Sequence, residues 1–61
     1  MMARECSFRT MRTRGGRYIT YVYDARTGAR ARADGRPIVT IGNTADQSYQ
    51  RAARMAARAE S

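Results

Sequence analysis

The stretch from residue 14 to 28, RGGRYITYVYDARTG, constrains the fold more than any other part of this chain. Between Arg17 and Tyr23 aromatic, β-branched and polar side chains alternate, with tyrosines at 18, 21 and 23. Val, Ile, Thr and Tyr suit a pleated, half-buried surface, and no helix former interrupts them. Gly15-Gly16 offers a turn before the run, and Asp24-Ala25-Arg26-Thr27-Gly28 offers one after it. A strand bracketed by two turns is the middle strand of a small meander. Tyr18, Thr20 and Val22 share one face, with Arg17, Ile19, Tyr21 and Tyr23 on the other. Both faces are apolar enough that hydrophobicity alone leaves the inward one open.

Residues 6–13 alternate too, with Cys6, Phe8 and Thr10 on one side and Ser7, Arg9, Met11 and Thr13 on the other. They read as a first strand, joined to the second by a hairpin connection over residues 12–16. Residues 1–5 are expected to be a frayed start. Beyond Gly28, the alternating alanine and arginine of residues 29–33 lead to a second turn signal at Asp34-Gly35. Pro37 lacks the N–H that a ladder needs, so a strand there starts at its edge. Two arrangements compete for this segment, an irregular loop carrying Arg30 and Arg32 or a short extra hairpin. The loop is favoured, followed by a third strand at residues 37–41.

Thr44 and Gln47 have the capping-box spacing, with Asn43 and Asp46 as an alternative one residue earlier. A helix over residues 45–59 follows, rich in Ala, Arg, Gln and Met. At about 100° per residue, Ala45, Tyr49, Ala52, Ala53 and Ala56 form one stripe, and Tyr49 is its single large anchor. Arg51, Arg54 and Arg58 lie nearly opposite and read as a solvated face that matters little for binding. The expected fold class is therefore α+β: a three-stranded antiparallel β-meander with one C-terminal α-helix packed on one face. Residues 1–61 form a single small basic β-β-β-α domain.

Sixty-one residues allow one domain at most, and a chain this short buries only about 60% of its unfolded surface. Its hydrophobic fraction of 43% overstates the core, because eleven of those residues are alanine and none is leucine or tryptophan. The large apolar set is Phe8, Ile19, Val22, Ile38, Val39 and Ile41, with the tyrosines and methionines. Support from a partner, a homodimer or bound nucleic acid would suit so small a core. All twelve basic residues are arginine. A GC-rich coding genome would explain the choice of arginine over lysine, but not the net charge of +7 or the pI near 11.1. Such a field attracts polyanions and speeds encounter with them. Nucleic acid is the leading partner, with DNA favoured over RNA, and an acidic host protein or nucleoprotein complex is the second.

Catalytic machinery is not expected. There is no histidine or lysine, the five carboxylates are scattered at 5, 24, 34, 46 and 60, and the serines have no base near them in sequence. The glycines do not form a phosphate loop between a strand and a helix. One cysteine, Cys6, makes neither an internal disulfide nor a metal cluster, so no cofactor or metal is expected. No apolar run is long enough for a signal peptide or a membrane span, which points to a cytoplasmic protein with no membrane partner.

The run Gly16-Arg17-Tyr18-Ile19-Thr20-Tyr21-Val22-Tyr23-Asp24-Ala25-Arg26-Thr27-Gly28, followed by a strand, a small-residue turn and a helix, resembles the amino-terminal arm-binding domain of phage tyrosine-recombinase integrases. The resemblance covers roughly residues 14–60. It implies a three-stranded antiparallel sheet on one helix, with the exposed sheet face entering the DNA major groove. It also implies that Tyr18, Thr20 and Val22 point inward, and that Arg17, Ile19, Tyr21 and Tyr23 face DNA beside arginines of neighbouring strands. The segment between Gly28 and Pro37 is longer than that family's, and the acidic-alanine helix start is missing. With no catalytic domain following, the implied protein is an accessory factor of phage or mobile-element type. The expected binding residues are Arg9, Arg12, Arg14, Arg17, Tyr21, Tyr23, Arg26, Arg30, Arg32 and Arg36. Small phage anti-CRISPR proteins are a second resemblance, implying an anti-defence inhibitor whose basic surface docks on a host nucleoprotein complex.

Overall fold

The computed structural model describes residues 5–60. Strands β1 (Cys6–Arg12), β2 (Tyr18–Asp24) and β5 (Val39–Gly42) form a three-stranded sheet in the order β1-β2-β5, and helix α1 (Ala45–Glu60) crosses one face. Both pairings are antiparallel, so the architecture is the expected one. Of the expected frayed start, residues 1–4 lie outside the described residues. Glu5 is tied down, since its carbonyl accepts the Ala25 N–H at 3.0 Å and prolongs the β1–β2 pairing.

Directly opposed residues of an antiparallel pair share a face. The register sets Phe8 against Val22 and lines up Thr10, Thr20 and Thr40. Val22 and Thr20 are fully buried, so Tyr18, Thr20 and Val22 form the helix-side row and the ambiguity over β2 is resolved. The core consists of Val22, Ala31, Ile38, Ala52 and Ala56, with Cys6, Phe8 and Ala33 packed against it. Alanine in both the helix and the 29–33 segment lets backbones approach where a larger core would hold them apart.

The segment between Gly28 and Ile38 departs from the expected loop. The chain turns back at residues 24–28 and pairs beside the end of β2, with Ala31 N–H donating to the Val22 carbonyl at 2.9 Å. It then leaves the sheet as a small hairpin, β3 (Arg32–Ala33) and β4 (Arg36–Pro37). It rejoins at Ile38, whose N–H donates to the Ala31 carbonyl at 2.9 Å and closes the base of the excursion. The third sheet strand is thus Val39–Gly42, and Pro37 ends the hairpin instead of opening that strand. The physical reason lies in the turn: Asp34 and Gly35 have φ of 53° and 78°, the paired positive values of a two-residue type I′ hairpin. Asp-Gly is the sequence that stabilises such a turn.

Helix α1 begins where Thr44 and Gln47 predict. Thr44 Oγ1 accepts the Gln47 N–H at 3.1 Å, but Gln47 Oε1 reaches back to the N–H of Asn43 at 2.7 Å, one residue before the cap. The buried stripe differs from the expected one. Ser48, Ala52 and Ala56 are the buried positions, whereas Ala45 is exposed and Tyr49 is 45% exposed. Tyr49 sits at the margin, its ring 5.0 Å from that of Phe8. Rotating the helix by one residue from the alanine pattern brings in Ser48, for which the sheet offers hydroxyl partners. Thr10 and Thr20 hydroxyls lie 2.8 Å apart, and Thr20 and Ser48 hydroxyls 2.6 Å apart. Ser48 Oγ donates to the Thr40 carbonyl at 3.3 Å, and Thr40 Oγ1 donates to the Ser48 carbonyl at 2.7 Å. This hydroxyl chain ties all three strands to the helix. Gly42 completes the contact, because a Cβ there would lie 2.7 Å from the Ser48 backbone nitrogen.

Candidate nucleic-acid interface

With the helix covering one face, the alternation turns Ser7, Arg9 and Met11 of β1, Ile19, Tyr21 and Tyr23 of β2, and Val39 and Ile41 of β5 to the other. The register makes this face a grid of three rows. Ser7 faces Tyr23, which bridges to Arg30; Arg9 faces Tyr21, which faces Val39; Met11 faces Ile19, which faces Ile41. One end of the grid is cationic and aromatic, and the other is apolar. Met11, Val39 and Ile41 are 43%, 37% and 46% exposed. The sequence suggested a core role for Val39 and Ile41. That role fails because Ile38, Thr40 and the close-packed Gly42 own the helix side of the strand.

Arg30 is the most constrained cation of this face. Its guanidinium carbon lies 4.8 Å from the centroid of the Tyr21 ring and 5.8 Å from that of Tyr23. A guanidinium over an aromatic face is held by the ring quadrupole, worth about 0.5–1 kcal/mol at an exposed site. Its Nε is shielded from solvent and has no hydrogen-bond partner. The terminal nitrogens are the part of the fork through which a ligand would be met. Arg9 stands exposed on the other side of Tyr21, so the tyrosine lies between two arginines.

The remaining expected residues do not all join this face. Arg17 precedes β2 in phase with Ile19 and Tyr21, which puts it on the open side at the hairpin end. Arg12 pairs with Tyr18 and therefore belongs, by alternation, to the helix side at the sheet's end. Arg14 is exposed in the 13–17 turn, and Arg26 in the 24–28 turn, where its N–H donates to Asp24 Oδ1 at 2.9 Å. Arg32 is folded back on its own hairpin, Nη1 donating to the Gly35 carbonyl at 3.0 Å, with Arg36 exposed on the partner strand. The structure thus brings together Arg9, Tyr21, Tyr23 and Arg30, flanks them with Arg17, and leaves Arg12, Arg14, Arg26, Arg32 and Arg36 dispersed.

The helix arginines are not the purely solvated face that their spacing suggests. Arg51 does not point away from the sheet, since its Nη1 donates to the Ile41 carbonyl at 2.6 Å. Arg51, Arg54 and Arg58 line an open groove with Thr40, Ile41 and Met55 along the outer edge of β5. Helical spacing alone showed the three on one face. It could not show that this face borders the free edge of the third strand.

Among the described residues no three His, Cys, Asp or Glu side chains are grouped to hold a metal, and no helix is long and apolar enough to cross a membrane. Comparison with protein families, curated sequences and solved structures returns no match.

Proposed function

We propose that this chain is a non-enzymatic accessory protein that lays its open sheet face on duplex DNA. The observation that carries the reading is the Arg9–Tyr21–Arg30 arrangement on a sheet face that the helix leaves uncovered. Arginine forks match phosphate oxygens and the O6/N7 edge of guanine, and tyrosine hydroxyls add hydrogen bonds. The position of Arg30 favours duplex over single strand. Single-strand binders offer bare aromatic rings on which bases stack, and here a guanidinium already lies over Tyr21 and Tyr23. The net charge of +7 supplies the long-range attraction. The integrase arm-binding resemblance agrees with this use of the sheet, and a phage or mobile-element role follows from that resemblance alone.

A second reading is favoured by the apolar row. Met11, Ile19, Val39 and Ile41 make an apolar corner beside the arginines, and contiguous exposed apolar surface marks protein contacts. An anti-defence inhibitor docking on a host nucleoprotein complex would use both ends of the grid.

Affinity for duplex and single-stranded DNA across a salt series separates the two. A duplex reader binds duplex more tightly than single strand and loses affinity in Arg9→Ala and Arg30→Ala. Each lost phosphate contact flattens the dependence of log K on log salt by about 0.9. Duplex affinity no better than the non-specific range of about 10⁻⁴–10⁻⁶ M at physiological salt refutes it. Capture of one host protein that survives nuclease treatment would then support the inhibitor.

A further inference from the structure

The groove along the free edge of β5 has a composition that the sheet face does not share. Three arginines of α1, Arg51, Arg54 and Arg58, line it with Met55, Thr40 and Ile41, around a volume of about 400 Å³. Ile41 belongs to both surfaces, because its side chain closes the apolar row of the open face and its carbonyl accepts Arg51. The groove and the sheet face are therefore one continuous surface bent around β5.

We propose that this groove is a phosphate-backbone site, gripping one strand of the same duplex whose groove the sheet face meets. The inference rests on the duplex reading. At about 1.5 Å per residue, Arg51 to Arg58 spans roughly 10 Å of helix, and phosphates of one strand recur about every 3.4 Å of duplex axis. The arginine row thus covers about three axial steps of one strand, long enough to reach successive phosphates. Backbone donors add to it. Val22 N–H donates to the Ile38 carbonyl, so alternation turns the N–H groups of Val39 and Ile41 outward from β2 along the free edge. Backbone N–H groups beside arginines are a recurring phosphate contact, and they carry no base information. Arg51 has a second effect: by taking the Ile41 carbonyl, it blunts an edge that could otherwise add a foreign strand. Charge complementarity picks the occupant, since three guanidinium groups around one groove repel a basic ligand and attract a polyanion.

The test compares duplex binding across a salt series for the wild-type chain, Arg54→Gln, Arg51→Gln/Arg54→Gln and Arg9→Ala/Arg30→Ala. Arg54 is exposed, so its single variant keeps the test independent of any loss of folding in the double. The expected result is a slope shallower by about 0.9 in Arg54→Gln and about 1.8 in the helix double variant. Affinity should fall uniformly across duplex sequences. Wild-type slope and affinity in both helix variants, with binding lost in Arg9→Ala/Arg30→Ala, would overturn the groove and leave the sheet-face reading standing. Failure of the wild-type chain to bind duplex would overturn both. Duplex affinity kept while capture of an acidic host protein is lost would also overturn it, in favour of a protein partner.

Discussion

Ser48→Ala tests the hydroxyl chain that joins the helix to the sheet. Ser48 and Thr20 are fully buried, and their hydroxyls are 2.6 Å apart. The substitution removes one oxygen and leaves almost the same volume, so cavity formation contributes little. It does strip Thr20 of its helix-side partner, leaving only the Thr10 hydroxyl at 2.8 Å, and it removes the donor to the Thr40 carbonyl. Each of these two lost hydrogen bonds is worth about 0.5–1.5 kcal/mol. Alanine's better helix propensity returns no more than about 0.7 kcal/mol. The two effects together leave a net loss of about 1–2 kcal/mol. Against total stability of roughly 3–9 kcal/mol for a domain of this size, that is a large share. Urea unfolding followed by circular dichroism measures it, with an unchanged m-value showing that only stability moved. Thr20→Val/Ser48→Ala removes both partners of the shortest bond and should be less destabilised than the sum of the single variants. A neutral Ser48→Ala, or a strictly additive pair, would refute the argument and leave shape alone to hold the helix in place.

Gly42→Ala should destabilise by about 1–3 kcal/mol, since its Cβ would meet the Ser48 backbone, which cannot swing aside as a side chain does. A thermal melt within experimental error of wild type would contradict the close approach. Thr44→Ala should cost about 0.5–2 kcal/mol through loss of the bond to Gln47 N–H. Asn43→Ala should cost less by the same assay, because Asn43 contributes only its backbone N–H to the cap.

The alternation of residues 17–23 placed β2, and the Thr44/Gln47 spacing placed the helix start to within a residue, because both signals are local. The structure departs from the sequence pattern where the deciding contact is distant in the chain. The alanine stripe leaves out Ser48, whose burial depends on Thr20 and Thr40 lying opposite it. Ile41 looked like core material, yet the facing of a strand is set by which residue meets the helix, and here Gly42 does so. Asp34-Gly35 carries the hairpin in its own chemistry, and Pro37 closes that hairpin instead of opening the next strand. For the site, Tyr21 and Tyr23 were legible from strand phase. The placement of Arg30 over both rings depends on the Tyr23–Arg30 bridge, a pairing that a long loop would not have made.

The most direct test of the sheet-face reading is a titration of the ¹⁵N-labelled protein with a short duplex, followed amide by amide. Saturable shifts should concentrate on Arg9, Met11, Ile19, Tyr21, Tyr23, Arg30, Val39 and Ile41, the rows of the open grid. Thr27 and Gly28, in the turn beyond β2, should move little. Shifts gathered instead on the 24–28 turn and the β3–β4 hairpin, or no saturable shifts at all, would contradict the sheet face as the nucleic-acid interface.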